Sequence, residues 1–201
     1  AEREQLAHNF VGRWRNGAPL TRYPDDPDDS PQHGKNDGDK RKHANDFFFH
    51  TEDRDGLKCP VGAHIRRAYP RDSFAPDPRT ALRLGKHHRI LRRGRLYGPA
   101  RPQDQGKTKK GTNDSKGLMF ICLNADISGQ FELIQHNWLN NPQFVGLYDE
   151  RDPLLGQRSE GGTAMTMQRR PANTRLIGLR DFVTVRGGAY FFMPGKKALS
   201  W

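Results

Sequence analysis

The run GLMFICLNA, Gly117 to Ala125, is continuous, apolar and of strand length. A run without polar alternation predicts a strand covered on both faces, hence a central one. Immediately after it the period changes. Ile127, Phe131, Ile134 and Trp138 recur at intervals of four, three and four in ISGQFELIQHNWLNNP, which predicts an amphipathic helix against that strand. Upstream, HRILRRG reads as a short strand from which LYGPARP turns away. Downstream, DFVTVRGGAYFFMP predicts two strands around Gly187 and Gly188, with a short helix after Pro194. Near the start, residues 2 to 14 predict a helix with Leu6, Phe10, Val11 and Trp14 on one face, ended by NGAPL. NDFFFHTED, Asn45 to Asp53, predicts an edge strand. Thr21 to about Asn45 is polar, turn-rich and aperiodic, a loop long enough to be functional. The fold class that follows is α+β, with an antiparallel sheet, helices on one of its faces and many irregular connections.

Whether such a chain stands alone is a question of composition. Only 33% of residues are hydrophobic, mean hydropathy is -0.94, and there are 21 glycines and 14 prolines among 201 residues. That supply builds one domain, residues 1–201, but not a self-sufficient core, so a cofactor or a partner chain is expected to complete it. The net charge of +11 calls for an acidic partner. The charge is not one uniform tail, because acidic runs such as DDPDDS interrupt it while HHRILRRGR and the arginines after His64 concentrate it. Local anion sites therefore fit better than a polyanion-binding arm. No basic-aromatic sheet motif or zinc-finger spacing supports nucleic acid. Cys59 and Cys122 form no CxxC pair, and read as buried thiols in a reducing, cytoplasmic setting. No apolar run approaches the ~18 residues of a membrane span, and AEREQLAHNF is charged rather than signal-like.

One histidine stands out. In CPVGAHIRRAYPRD, Cys59 to Asp72, His64 follows a turn of small residues and precedes two arginines. Three readings are open at this point: an ordinary surface or core histidine, a nucleic-acid contact, or a ligand for a metal or haem iron. Zinc has no HExxH, HxxxH or CxxC to support it, and a serine hydrolase has no GxSxG.

Read together with HRILRRGRLYGP, whose Arg92 follows His64 by 28 residues, this stretch resembles the haem segments of dye-decolorising peroxidases. The resemblance continues through KGLMFICLNADISGQFELIQHNWLNNPQF, GLYDERDPLLG and FVTVRGGAYFFMP, and touches VGRWRNGAPL, NDFFFHTED and EDRDGLKCP. It is similar to the bacterial members with long loops, and to the C-terminal, haem-binding half of a two-half ferredoxin-like fold. The resemblance implies haem b (iron protoporphyrin IX), with His64 as the proximal iron ligand and Arg92 over the distal face. It further implies Asp152 of RDPLLG as the acceptor for the other ring nitrogen of His64, which would fix the ring and raise its donor strength. Leu118 and Phe120 alternate along one strand and share a face, which in the family walls the distal pocket. Arg66 or Arg67 lies close enough in sequence to His64 to clamp a propionate. Tyr97, Trp138 and Trp201 are candidates for relaying electrons to the surface. Each has a plainer reading beside it: Arg92 as a solvated charge, Asp152 as a cap on the turn before Pro153, Leu118 and Phe120 as core.

The implied activity is oxidation of phenols, aromatic dyes and similar one-electron donors by hydrogen peroxide. The alternative is a haem-binding half-domain or subunit with little catalysis. The family's GxxDG motif belongs to the other half. GKNDG has the same letters, but its Asp37 lies 27 residues before His64 and reads as a turn. Leu96 stands where the family usually has proline. A half without its mate would expose the surface its mate covers, so a homodimer or higher oligomer is expected, with neither nucleic acid nor membrane as partner.

Overall fold

A computed structural model describes residues 2–25, 45–74, 77–98, 116–157 and 162–199. Asp37 and Trp201 lie outside the described residues, as does most of the loop before Asn45. The elements are α1 (Glu2–Val11), α2 (Phe49–Asp53), α3 (His64–Ala68), α4 (Pro78–His87), β1 (Leu91–Tyr97) and β2 (Gly117–Leu123). Then come two π-helical segments, Ser128–Glu132 and Ile134–Leu139, and a 3-10 turn, Phe144–Gly146. β3 (Thr163–Met167), β4 (Thr174–Leu179) and a terminal 3-10 turn, Lys196–Leu199, complete the order. No helix among the described residues is long and apolar enough to cross a membrane.

The architecture is α+β with antiparallel pairing. The strands form two separate two-stranded ladders, β1 with β2 and β3 with β4. The helix predicted for residues 127 to 139 is present with Ile134, Trp138 and Leu139 buried, but its turns are wide. Glu132 N–H donates to Ile127 O at 3.0 Å and Asn140 N–H to Gln135 O at 3.1 Å, one residue beyond the α-helical step.

Three expectations change. NDFFFHTED contains a helical turn, not an edge strand, because one distant acceptor and one of its own cap it. Asp72 Oδ1 takes the Phe49 and His50 amide protons at 2.9 and 3.0 Å, and Glu52 Oε1 takes that of Phe48 at 2.9 Å. Those bonds satisfy donors that a helix start leaves orphaned. β2 is a strand but not a covered one: among the described residues it pairs only with β1, and Leu118 and Phe120 are 56% and 45% exposed. The segment 181–195 joins no ladder. The second ladder comes instead from residues whose mixed polarity hid it, with Met165 facing Leu176 and Thr166 facing Arg175.

Two apolar clusters hold the chain. One gathers Phe10, Leu20, Phe47, Phe49, Cys59, Ala63 and Met165; the other gathers Val61, Ile134, Trp138, Leu139, Phe144 and Leu147. The turn before His64 is stitched between them, since Cys59 and Ala63 enter the first and Val61 the second. Gly12 lets α1 approach this turn. Its φ is +90°, and a Cβ there would meet Ile65 Cγ1 at 2.5 Å.

Candidate functional site

His64 opens α3 directly after a tight turn in which Ala63 N–H donates to Pro60 O at 3.0 Å. Burial of Cys59, Val61 and Ala63 on two sides leaves the turn little freedom, so the imidazole leaves the backbone at a fixed place. Its Nδ1 lies 2.9 Å from Asp152 Oδ2, with the histidine side chain 26% exposed and the aspartate fully buried.

Asp152 is itself aimed. Its second oxygen, Oδ1, accepts the Leu154 and Leu155 amide protons at 3.0 and 2.7 Å, and its own N–H donates to Leu139 O at 2.8 Å. The turn-capping reading and the histidine-partner reading thus both hold, one for each oxygen. A carboxylate only accepts, so in a neutral imidazole the pair would place the proton on Nδ1 and the lone pair on Nε2.

That donor set can be tested against a cofactor. Among the described residues no group of three or more histidine, cysteine or carboxylate side chains could hold a metal ion. A single imidazole backed by a carboxylate is too few ligands for a bare ion. It suits an iron that brings four equatorial donors of its own, as haem iron does. The residues present fit that group.

Arg92, Leu118 and Phe120 come together through strand register. Arg92 stands opposite Cys122, Gly94 opposite Phe120, and Leu96 opposite Leu118. Directly opposed residues of an antiparallel pair share a face, and so do alternate residues of one strand. All six therefore line one face of the β1–β2 ladder. Gly94 makes room there, since a Cβ on it would meet Leu118 Cδ1 at 3.1 Å. The Phe120 ring continues the wall to Phe131, 6.3 Å between centroids, and Phe131 to Tyr190 at 6.2 Å. Arg92 stands close enough to Arg13 for its charge to help lower the Arg13 pKa, burial being the larger cause.

Arg66 and Arg67 do not join the site. The Arg66 guanidinium is buried against Asp53 Oδ2 at 3.2 Å and donates to Cys59 O at 2.8 Å, Asp53 O at 2.8 Å and Arg54 O at 3.0 Å. Arg67 is fully buried and donates to Trp138 O at 2.8 Å, Asn141 O at 3.1 Å and Glu150 O at 2.6 Å. Burial lowers its pKa to about 10, which leaves it charged at neutral pH. Both side chains turn into the protein, where each donates to three carbonyl oxygens while Arg67 Nε keeps no partner among the described residues, an arrangement that fits a structural role better than the expected propionate clamp. Of the relay candidates, Trp138 is buried in the second cluster and Tyr97 is 46% exposed.

Sequence reasoning missed Glu150. It is 2% exposed, its Oε2 accepts from Thr166 N–H at 2.8 Å, and its Oε1 accepts from the Thr166 hydroxyl. In YDERDP it sits in an aperiodic stretch, and only its place two residues before Asp152 could have marked it.

No family model matches the chain. Individual relatives do. A dye-decolorizing peroxidase of Exidia glandulosa is 34% identical over 202 residues, covering 97% of this chain and 37% of the relative. The multifunctional dye peroxidase DyP2 of an Amycolatopsis species is 31% identical over 201 residues, covering 96% and 40%. In structure, the decolorizing peroxidase of Auricularia auricula-judae superposes with a TM-score of 0.68 at 28% identity, over 92% of this chain and 42% of that one. The chain spans about two fifths of the length of the relatives it matches. Through nearly all of its length, in sequence and in fold, this chain is similar to part of the dye-decolorizing peroxidases.

Proposed function

We propose that residues 1–201 are the haem-binding, C-terminal half of a peroxidase fold and that His64 is the iron ligand. The carrying observation is the 2.9 Å contact between His64 Nδ1 and a buried carboxylate held at its other oxygen by two amides. Haem b, when bound, supplies the redox chemistry by which hydrogen peroxide is reduced to water and two electrons are drawn, one at a time, from phenols or aromatic dyes.

The chain's own residues prepare that chemistry. Asp152 holds the Nδ1 proton, orients the ring and strengthens Nε2 as a donor. Arg92 would supply a guanidinium that stabilises negative charge developing on a peroxide oxygen. Leu118 and Phe120 would restrict water on the same face once that face is covered. The ladder's exposed apolar side chains, Leu96 at 87% and Leu118 at 56%, need cover, and a homodimer or larger homo-oligomer would supply it. Two free thiols suit a reducing, cytoplasmic setting.

A second reading has its own support. Among the described residues, the ladder face that carries Arg92 holds Gly94, Leu96, Leu118, Phe120 and Cys122, with no carboxylate on either strand. Proton transfer there falls to water or to another segment, which favours a haem-binding half with little turnover. Titration of the chain with haemin decides both. A Soret band that is lost or shifted in His64→Ala supports ligation, and an unchanged band in that variant ends it. Peroxide-dependent dye bleaching no faster than that of free haemin selects the second reading.

A further inference from the structure

The strap 140–157 carries Asp152 and contains strained backbone. Val145 and Asp149 have φ of 50° and 52°, the left-handed region that side-chain-bearing residues avoid, a β-branched one above all. Bonds within the strap, such as Glu150 N–H to Pro142 O at 3.1 Å, are joined by restraints from outside it.

Two restraints come from α3. His64 and Arg67 are three apart on that short helix and share a side of it. His64 reaches Asp152 Oδ2, and Arg67 Nη2 reaches Glu150 O at 2.6 Å, two residues earlier on the strap. The same guanidinium ties the near end of the strap through Trp138 O and Asn141 O. A third restraint comes from β3, where Thr166 binds the Glu150 carboxylate with both N–H and hydroxyl. Arg175 on β4 adds a looser contact, its Nε being 3.9 Å from Glu150 Oε1. A carboxylate is costly to bury, and a tie needed only for packing could be apolar.

We propose that Glu150 is a positioning residue for His64. Gripped at its side chain by Thr166 and at its carbonyl by Arg67, it sets the distance of Asp152 Oδ2 from the imidazole and thereby the strength with which the Nδ1 proton is held. The inference rests on the reading of His64 as the iron ligand, and it assigns Arg67 to the same lock.

The test uses the full chain and two readouts. In the haemin-loaded, reduced protein, resonance Raman spectroscopy reads the iron–histidine stretch, which rises with the strength of the Asp152 bond. In the haem-free protein, NMR reads the solvent exchange of the His64 Nδ1 proton. Thr166→Val removes one bond to Glu150 and keeps the strand; Glu150→Gln removes the charge and keeps the shape. Both are expected to lower the stretch and to speed proton exchange about tenfold, at the lower end of what losing an outer-shell partner does to a metal site. Thr166→Ser is expected to restore both values. Folded Thr166→Val and Glu150→Gln proteins with the wild-type stretch and exchange rate would overturn the inference. Should His64→Ala leave the Soret band unchanged, the ligand reading fails instead, and proton exchange in the haem-free chain still decides the role of Glu150.

Discussion

Asp152 divides its carboxylate between two tasks: Oδ2 lies 2.9 Å from His64 Nδ1, while Oδ1 holds the turn at Leu154 and Leu155. The histidine therefore receives an acceptor whose direction is set by backbone amides rather than by a flexible side chain. Asp152→Asn keeps an oxygen for the turn and replaces the charged acceptor by a neutral amide. Haemin affinity, read by Soret titration, is expected to fall about 10- to 100-fold. Asp152→Ala loses the turn as well, so it is expected to lose thermal stability in addition to affinity. Equal affinity in Asp152→Asn and wild type would remove the carboxylate from the site.

In the proposed reading Arg92 serves the reaction with peroxide rather than haem binding, so its variants would separate binding from rate. Arg92→Leu is expected to leave haemin affinity near wild type and to slow the reaction with peroxide about 10²- to 10³-fold, equivalent to roughly 3 to 4 kcal/mol of charge stabilisation. Arg92→Lys is expected to recover part of that rate, since an ammonium restores the charge but not the planar fork. Stopped-flow mixing with peroxide measures both. An Arg92→Leu protein as fast as wild type would return the residue to the status of a solvated charge.

How much of this could be read from the residues depends on where each piece of information sits. β2 was legible because its apolar run is local; HRILRRG predicts only part of β1, which runs on through Leu96 and Tyr97 where a turn is expected, and register brings Arg92, Leu118 and Phe120 to one face as alternation requires. The N-terminal helix was legible for the same reason. The second ladder was not, since Thr163–Met167 mixes polar and apolar residues without strand alternation. Phe49–Asp53 became a helix through Asp72, 23 residues away from Phe49, which no local pattern encodes. His64 and Asp152 came from motif resemblance, not from periodicity, because both lie in aperiodic segments. Arg66 and Arg67 misled for a physical reason: proximity in sequence to a ligand says nothing about direction, and a helix turns successive side chains about 100° apart.

Arg66 gives that correction a measurable form. Its guanidinium and Asp53 are 4% and 3% exposed at the side chain and 3.2 Å apart. Removing one partner of a buried pair strands the other charge, which costs about 3 to 5 kcal/mol. Arg66→Ala is therefore expected to lower folding stability by that order in denaturant titration, even without haem. A propionate clamp would behave differently, weakening haemin binding while sparing the haem-free protein. Wild-type stability in haem-free Arg66→Ala would restore the clamp.

The two thiols differ in burial, and the difference carries a pH signature. Cys59 is fully buried and Cys122 is partly exposed. Burial pushes the Cys59 thiol up to about 12 from an ordinary value of 9.0, with Arg66 opposing the shift and the Asp53 carboxylate adding to it. Below pH 9 the thiol is protonated in folded and unfolded chains alike, so it adds no pH dependence there. Between about 9 and 12 the unfolded chain has lost a proton that the folded chain keeps, so stability falls as pH rises. The slope from this group approaches about 1.4 kcal/mol per pH unit. Denaturant titrations between pH 8 and 11 are expected to show that alkaline loss in wild type and a shallower one in Cys59→Ala. At pH 8 a thiol reagent is expected to label Cys122 rapidly and Cys59 only after unfolding. Equal labelling of the two residues in the folded protein, or an unchanged alkaline slope in Cys59→Ala, would place Cys59 outside the first apolar cluster.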